Sequence, residues 1–319
     1  MPMFRDVLVH LSESGTLRRV ATHAPGARTM ARRFVAGETV EDGVAAAREL
    51  NAAGIRVTLD NLGESVDTRD EARAAADTYL AMIRRIVEEK LDANVSLKLT
   101  QMGQDIDAAF MRDNVGRVLD LAREHDMFVR LDMESSAYTQ RTLDFFRTLW
   151  DSEGYRNVGI VLQSYLKRTA DDARMANERG ARVRLCKGAY VEPPEVAFQE
   201  KSRVDENFVA VTRMLLEEGT FPGIATHDPA MIEATKRIAH EQGISKDAFE
   251  FQMLYGIRRD LQAELVREGW GLRVYVPFGD AWYPYLMRRM AERPANLFFI
   301  VNAVLRESPL RFLMSNGKR

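Results

Sequence analysis

From residue 56 onward the chain alternates between two hydrophobic periods. Short runs rich in β-branched and aromatic residues recur at Arg56–Leu62 (RVTLDNL), Val95–Met102, Phe128–Glu134, Gly159–Ser164, Arg182–Cys186, Gly223–His227, Phe249–Leu254 and Arg273–Phe278. Each is bounded by Gly, Asp, Pro or the end of an amphipathic stretch, the pattern of a strand. Between them lie stretches such as EARAAADTYLAMIRRIVEEKL and AFMRDNVGRVLDLAREHD, whose apolar residues fall three and four apart and predict helices. Eight strands alternating with helices predict a parallel (β/α)8 barrel, because a parallel connection must cross over and a helix supplies the crossover.

An open, doubly wound sheet is the structural rival, and it would carry a Gly-rich turn after an early strand. Here the first strand runs into NLGESV, and the nearest match, GWGLRV at Gly269, lacks the third glycine and precedes a strand. The chain before Arg56 reads as helices: one around Phe4–Leu11, a basic stretch Ala31–Phe34, and Val40–Ala53 closed by Gly54. The expected organisation is an N-terminal helical segment over 1–54, covering the bottom or side of a barrel over 55–319.

Composition changes this picture little. An apolar share of 46% and a charged share of 29% are those of a globular protein, and 319 residues suit one barrel. The net charge of -2, with acidic and basic residues interspersed, gives no nucleic-acid footprint. The single cysteine, Cys186, forms no internal disulfide and reads as a small buried residue of a protein in a reducing compartment. No run of ~18 apolar residues is present. The first residues mix charge into the apolar stretch too early for a secretory signal. A cytoplasmic protein is expected, with peripheral contact on the inner face of a membrane left open, as is assembly into a homo-oligomer.

Barrel chemistry sits at the C-terminal ends of the strands. Reading only those ends gives Asp60 and Glu64, Lys98 and Gln101, Asp132 and Glu134, Gln163, Arg184 and Lys187, His227 and Asp228, Gln252 and Tyr275. Charges inside a narrow barrel must be paired or bind something charged. This mixture suits an anionic ligand beside an uncharged ring. The five histidines (10, 23, 125, 227 and 240) never fall at metal-ligand spacing, so no metal site is expected. After the eighth strand, Tyr285, Arg288, Arg289 and Glu292 share roughly one helix face, where adjacent guanidinium groups can clamp a carboxylate. An exposed Arg288–Glu292 pair is the plainer alternative.

The peptides RFVAGET (33–39), TLDNLGE (58–64), SLKLTQMG (96–103), LDMES (131–135), VLQSY (161–165), RLCKGAY (184–190), ATHD (225–228), FEFQML (249–254), VYVPFG from Val274 and YLMRRMAERPAN (285–296) together resemble the proline dehydrogenases, in the same order and on matching strands. The resemblance implies a monofunctional bacterial-type enzyme: a distorted (β/α)8 TIM-type barrel that holds FAD without a Rossmann turn. It implies oxidation of L-proline to 1-pyrroline-5-carboxylate, the first step of proline catabolism to glutamate. Hydride would pass to flavin N5 and electrons to a membrane quinone, with a separate pyrroline-5-carboxylate dehydrogenase downstream.

Carried residue by residue, the resemblance places Lys98, Arg288 and Arg289 on the proline carboxylate. Asp132, Tyr275, Tyr285, Leu185, Tyr190 and Leu254 would line the ring pocket. Arg184 would sit near flavin N5, with Met133, Gln163, Lys187, Gly188, Ala189, Thr226 and His227 around the rest of FAD. Glu64 would pair with Arg288 across the entrance, and Tyr275 would favour proline over hydroxyproline. Each role has a plainer counterpart: core packing for Lys98, Asp132, His227 and Tyr275, and barrel-closing salt bridges for Arg184 and Lys187. Two rival readings are a Schiff-base aldolase using Lys98 or Lys187 and a barrel that binds an amino acid without turning it over. Asp132 near Lys98 speaks against the first, since it favours the charged lysine.

Overall fold

A computed structural model describes residues 31–283 and 285–287 of the chain. Eight parallel strands close into a barrel in sequence order: β1 Arg56–Asn61, β2 Ala93–Leu97, β3 Val129–Leu131, β4 Val158–Gln163, β5 Val183–Cys186, β6 Gly223–Ala225, β7 Glu250–Leu254 and β8 Leu272–Phe278. Helix α1 (Val40–Ala52) precedes β1. Helices α2 (Arg69–Glu88), α3 (Ala108–Glu124), α4 (Ser136–Arg147), α5 (Thr169–Glu178), α6 (Lys201–Glu218), α7 (Pro229–Glu241) and α8 (Arg259–Arg267) each follow a strand. All eight expected strands are present; β1, β2, β3, β4 and β6 stop short of their expected ends, while β2, β4 and β8 begin earlier. β2 stops at Leu97 and β3 at Leu131, so Lys98 and Asp132–Glu134 lie just beyond their strands, where the backbone turns towards the helices. The Asp132 N–H still donates to the Leu97 carbonyl at 2.8 Å, which keeps it on the barrel rim.

The helices begin where the sequence supplies caps. Thr39 and Thr68 each accept from the backbone N–H three residues on, and Asp42 and Glu71 return the bond to the cap. Gly54, at φ +75°, closes α1 as expected. That helix packs against β1 and β8, filling the outer slot that a helix after β8 would otherwise take. Gly43 allows the approach: a Cβ there would lie 2.8 Å from the Phe278 ring. The described residues after β8 go elsewhere. Trp282, Tyr283, Tyr285, Leu286 and Met287 cluster with Ala31, Phe34, Val35 and Leu62, beside the C-terminal end of β1. The departure from a regular barrel therefore lies in the exchange of these two segments, with α1 on the side and the post-β8 segment towards the mouth.

Strand alternation divides the barrel into two environments. Val57, Leu59, Val95, Leu97, Val129, Leu131, Ile160, Leu185, Ile224, Phe251, Val274 and Val276 are fully buried in the apolar core beneath the helices. The alternate positions hold Thr58, Asp60, Asn94, Ser96, Arg130, Gln163, Arg184, Glu250, Gln252, Arg273 and Tyr275, so the interior is unusually polar. Near the N-terminal ends of the strands these groups satisfy one another. Arg273 donates to Glu250 (2.6 Å), the Val57 carbonyl (2.7 Å) and Asn94 (3.0 Å), and Arg130 donates to the carbonyls of Ile160 and Arg182. Arg273 survives there as a buried cation because these acceptors and the Glu250 charge match it, whereas Arg130 keeps its Nε buried without a partner among the described residues.

Candidate active site

The polar column reaches the barrel mouth around Asp132. One carboxylate oxygen accepts from Ser96 Oγ at 2.6 Å and Arg184 Nη1 at 2.7 Å; the other accepts from Tyr275 Oη at 2.7 Å. The Arg184 guanidinium also lies 5.1 Å from the Tyr275 ring centroid and donates through Nε to Gln252 Oε1 at 2.6 Å. Strands β2, β5 and β8 and the end of β3 thus meet at one carboxylate, with β7 joined to it through Gln252 and Arg184. Burial, then the Asp132 and Asp60 carboxylates, hold the Tyr275 phenol well above its usual range, so it serves as a donor. The barrel-closing alternative for Arg184 is partly realised in its pair with Asp132, but its Nη2 is buried without a partner among the described residues. So is Gln163 Oε1, at the inward end of neighbouring β4.

Lys98 lies on the same rim, 3.6 Å from Asp60 Oδ1. Burial works against its charge, but Asp60, Asp132, Glu64 and Tyr190 outweigh it and raise the ammonium above its ordinary range. A Schiff-base nucleophile needs the opposite shift, which removes the support for an aldolase using Lys98. Burial raises the carboxyls of Asp60 and Glu134 in turn, with Lys98 pulling both back. Glu64 stands near enough to Lys98 and Glu134 to act on both.

The loop after β5 carries the other expected contacts. Lys187 forms ion pairs with Asp205 and with Asp228 (2.8 Å), so its plainer role as a structural salt bridge is present. Burial pushes both aspartates up, yet Lys187, joined by Lys201, outweighs it and holds them below the usual carboxylate range. Gly188 sits at φ +109°, and a Cβ on it would meet the Tyr165 ring at 2.4 Å. Only glycine lets the backbone pass there. Ala189 is exposed and Tyr190 half-buried in the same loop. Glu192 anchors the loop by accepting from the Ser136 N–H at 2.7 Å and from Ser136 Oγ at the start of α4. On the next strands, Thr226 Oγ1 accepts from the Asp228 N–H, and His227 Nε2 accepts from the Leu254 N–H at 2.8 Å. The accepting Nε2 makes the His227 ring neutral, with its proton on Nδ1, a positioned group and not an acid. Leu254 and Tyr275 are neighbours in register on β7 and β8, on the inward face.

Leu185, Met133 and Tyr285 lie in the buried apolar clusters. Leu185 alternates with Arg184 on β5 and is fully buried in the apolar core. Met133 is buried in that same core at the end of β3. Tyr285 is buried in the cluster beside the end of β1, while Arg288, Arg289 and with them the Glu64–Arg288 gate lie outside the described residues, as does Phe4–Leu11. Ser96 and Glu250 were not picked out as site residues, although both fall on the inward parity of strands whose other inward positions are polar. Asp60 and Gln252 were among the strand-end polar residues, but nothing in the sequence joined them to Lys98 or Arg184.

A sequence profile described as Proline dehydrogenase matches residues 44–302. The chain is 42% identical over 295 residues to Proline dehydrogenase 2 of Bacillus subtilis, covering 92% of this chain and 96% of that one. It is 41% identical over 307 residues to Proline dehydrogenase of Deinococcus radiodurans, covering 95% and 98%. Among solved structures it is similar to proline utilization A (PutA) from Bdellovibrio bacteriovorus inactivated by N-propargylglycine, with a TM-score of 0.79 and 27% identity over 91% of this chain and 36% of that one.

Proposed function

The chain belongs to the proline dehydrogenase family, and we propose that it oxidises L-proline to 1-pyrroline-5-carboxylate with FAD as its cofactor and a membrane quinone as final acceptor. The observation that carries this reading is the Asp132–Arg184–Tyr275 constellation at the mouth, with two buried polar atoms still unmatched beside it. Arg184 Nη2 is a donor and Gln163 Oε1 an acceptor, on adjacent strands. A flavin ring edge offers both acceptors and a donor, so the residues present fit the group. Arg184, Gln163, Thr226, His227, Lys187, Met133, Gly188 and Ala189 would hold it. When bound, FAD supplies the hydride acceptor and hands the electrons to the quinone.

The chain's own residues supply binding and orientation. Lys98 stays cationic and gives the proline carboxylate a counter-charge. The described rim also carries Asp60, Asp132, Glu134 and Glu64, an excess of carboxylates over Lys98 and Arg184. An anionic substrate therefore calls for further cations there, the role we assign to Arg288 and Arg289. Tyr275, Tyr190, Leu254 and Tyr285 would enclose the ring, Asp132 would border it, and Glu64 with Arg288 would close the entrance. Arg184 presents a fixed positive charge where negative charge accumulates on reduction, which lowers the barrier because it needs no reorganisation. Orientation of the ring carbon next to nitrogen supplies much of the remaining rate. The oxidation removes a hydride from that carbon and a proton from nitrogen. The product is the substrate of a separate dehydrogenase on the way to glutamate. Among the described residues no helix is long and apolar enough to cross a membrane; contact with the quinone pool would be peripheral.

The test is a product assay. Purified protein given L-proline and a soluble quinone should yield a cyclic imine lighter than proline by two hydrogens, and heat should release FAD in stoichiometric amount. No imine in the presence of added FAD would overturn the proposal.

A further inference from the structure

Across β5, β6 and β7 the register sets Arg184, Gly223 and Glu250 side by side: a cation, a residue without a side chain and an anion. Gln252, the next inward position on β7, fills the gap. A Cβ on Gly223 would lie 2.3 Å from Gln252 Nε2 and 2.6 Å from its Cδ, so the glycine is what makes room for this amide. The amide donates from Nε2 to Glu250 Oε1 at 2.8 Å and accepts from Arg184 Nε at 2.6 Å. It cannot face the other way, because a carboxylate has no proton to give and a guanidinium has no acceptor. The charge on Glu250 thus fixes the amide, and the amide fixes Arg184.

We propose that Glu250, acting through Gln252, is a positioning residue that aims Arg184 at the bound flavin. This rests on the reading of Arg184 as a flavin contact. Glu250 and Gln252 are 3% and 5% exposed, so no solvent competes for their bonds. Glu250 is itself fixed from below by Arg273 (2.6 Å) and Arg56 (3.3 Å). Burial pushes its carboxyl up, but the Arg273 guanidinium outweighs this and keeps it ionised below the usual range. On the far side of Arg184, Asp132 holds Nη1. With Nε and Nη1 both engaged, Nη2 is the donor left for a ligand. The ordered chain Arg273, Glu250, Gln252, Arg184, Asp132 spans the barrel from its floor to its mouth.

The sign of one measurement separates this role from the alternatives. A buried carboxylate acting only through its charge disfavours an electron-rich flavin, so Glu250→Gln would then raise the two-electron midpoint potential. A positioning role predicts a fall, because a neutral side chain at 250 lets the amide turn and Arg184 lose its aim. The holoenzyme is titrated as wild type, Glu250→Gln, Gly223→Ala and Arg184→Met. Gly223→Ala displaces the amide without changing any charge, and decides the matter if Glu250→Gln does not fold. The expected result is about a tenfold loss of reduced-state preference in each, about 30 mV for a two-electron couple. Neither the Glu250 nor the Gly223 change should shift the potential further in an Arg184→Met background. A rise or no change with Glu250→Gln and Gly223→Ala, while Arg184→Met lowers the potential, overturns the positioning role and leaves the flavin contact standing. An unchanged potential in Arg184→Met overturns both.

Discussion

Tyr275→Phe removes one oxygen from the centre of the site and little else. The phenyl ring remains, and with it the guanidinium stacking at 5.1 Å. What is lost is the 2.7 Å bond from Tyr275 Oη to Asp132 Oδ2, with the weaker contact by which the same phenol pulls the Asp60 carboxyl down. A hydrogen bond to a charged group contributes about 1.5–3 kcal/mol, and a buried acceptor left without its donor falls at the upper end. The expected loss is therefore about 2–3 kcal/mol, several degrees in melting temperature for a domain of this order of size. Asp132→Ala should cost more, about 3–5 kcal/mol, because it strands the Arg184 cation. The diagnostic quantity is the coupling between the two changes, from thermal or urea unfolding of both single variants and the double variant. If the phenol acts through Asp132, Tyr275→Phe costs almost nothing once Asp132 is alanine. A Tyr275→Phe cost below about 0.5 kcal/mol, or one undiminished in the Asp132→Ala background, would show that the phenol does not support Asp132.

Other predictions follow from the same geometry. Lys98→Met should raise KM for proline by about 10–100-fold, the loss of about 1.5–3 kcal/mol from one charged contact, with a smaller change in kcat; an unchanged KM in steady-state assays contradicts the carboxylate role. Borohydride added with proline or its product should leave Lys98 unmodified by mass spectrometry, since its ammonium is held charged. Gly188→Ala should cost about 1–3 kcal/mol in backbone strain alone, before the Tyr165 clash, and should release FAD on dialysis; full flavin retention counts against a Gly188 role in the cradle. The depressed carboxyls of Asp205 and Asp228 stabilise the fold above their unfolded pKa of about 3.9, and that stability is lost as pH falls through their lower folded values. Lys187→Met should therefore flatten the loss of melting temperature between about pH 5 and pH 2, and an acid limb as steep as wild type's would contradict the ion-pair assignment.

The barrel was legible in the chain because parallel strands wrapped by helices need an apolar outward face, and Val57/Leu59, Val95/Leu97 and Val274/Val276 announce one. The polar inward face was equally visible as the interruptions Asp60, Arg184, Gln252 and Tyr275. Two kinds of information were missing. A contiguous motif such as RLCKGAY hides the alternation inside it, so Leu185 was grouped with Arg184 although a strand sends them to opposite sides. Pairing across the barrel is also unreadable from one chain. The Arg184 contacts come from positions 96, 132 and 252, and Lys187 is fixed by Asp205 and Asp228, all distant in sequence. The exchange of α1 for the segment after β8 is likewise a matter of which apolar face finds which neighbour, with Gly43 against Phe278 as its one local trace.

We infer that the mouth built by Asp132, Arg184, Tyr275 and Lys98 holds a flavin that L-proline reduces. An absorbance titration of the purified protein with L-proline under anaerobic conditions tests it most directly. Flavin bands should bleach with proline, bleach less readily with hydroxyproline, and return on adding a quinone. Flavin bands that stay unchanged at saturating proline, or a protein that neither carries nor takes up FAD, would contradict it.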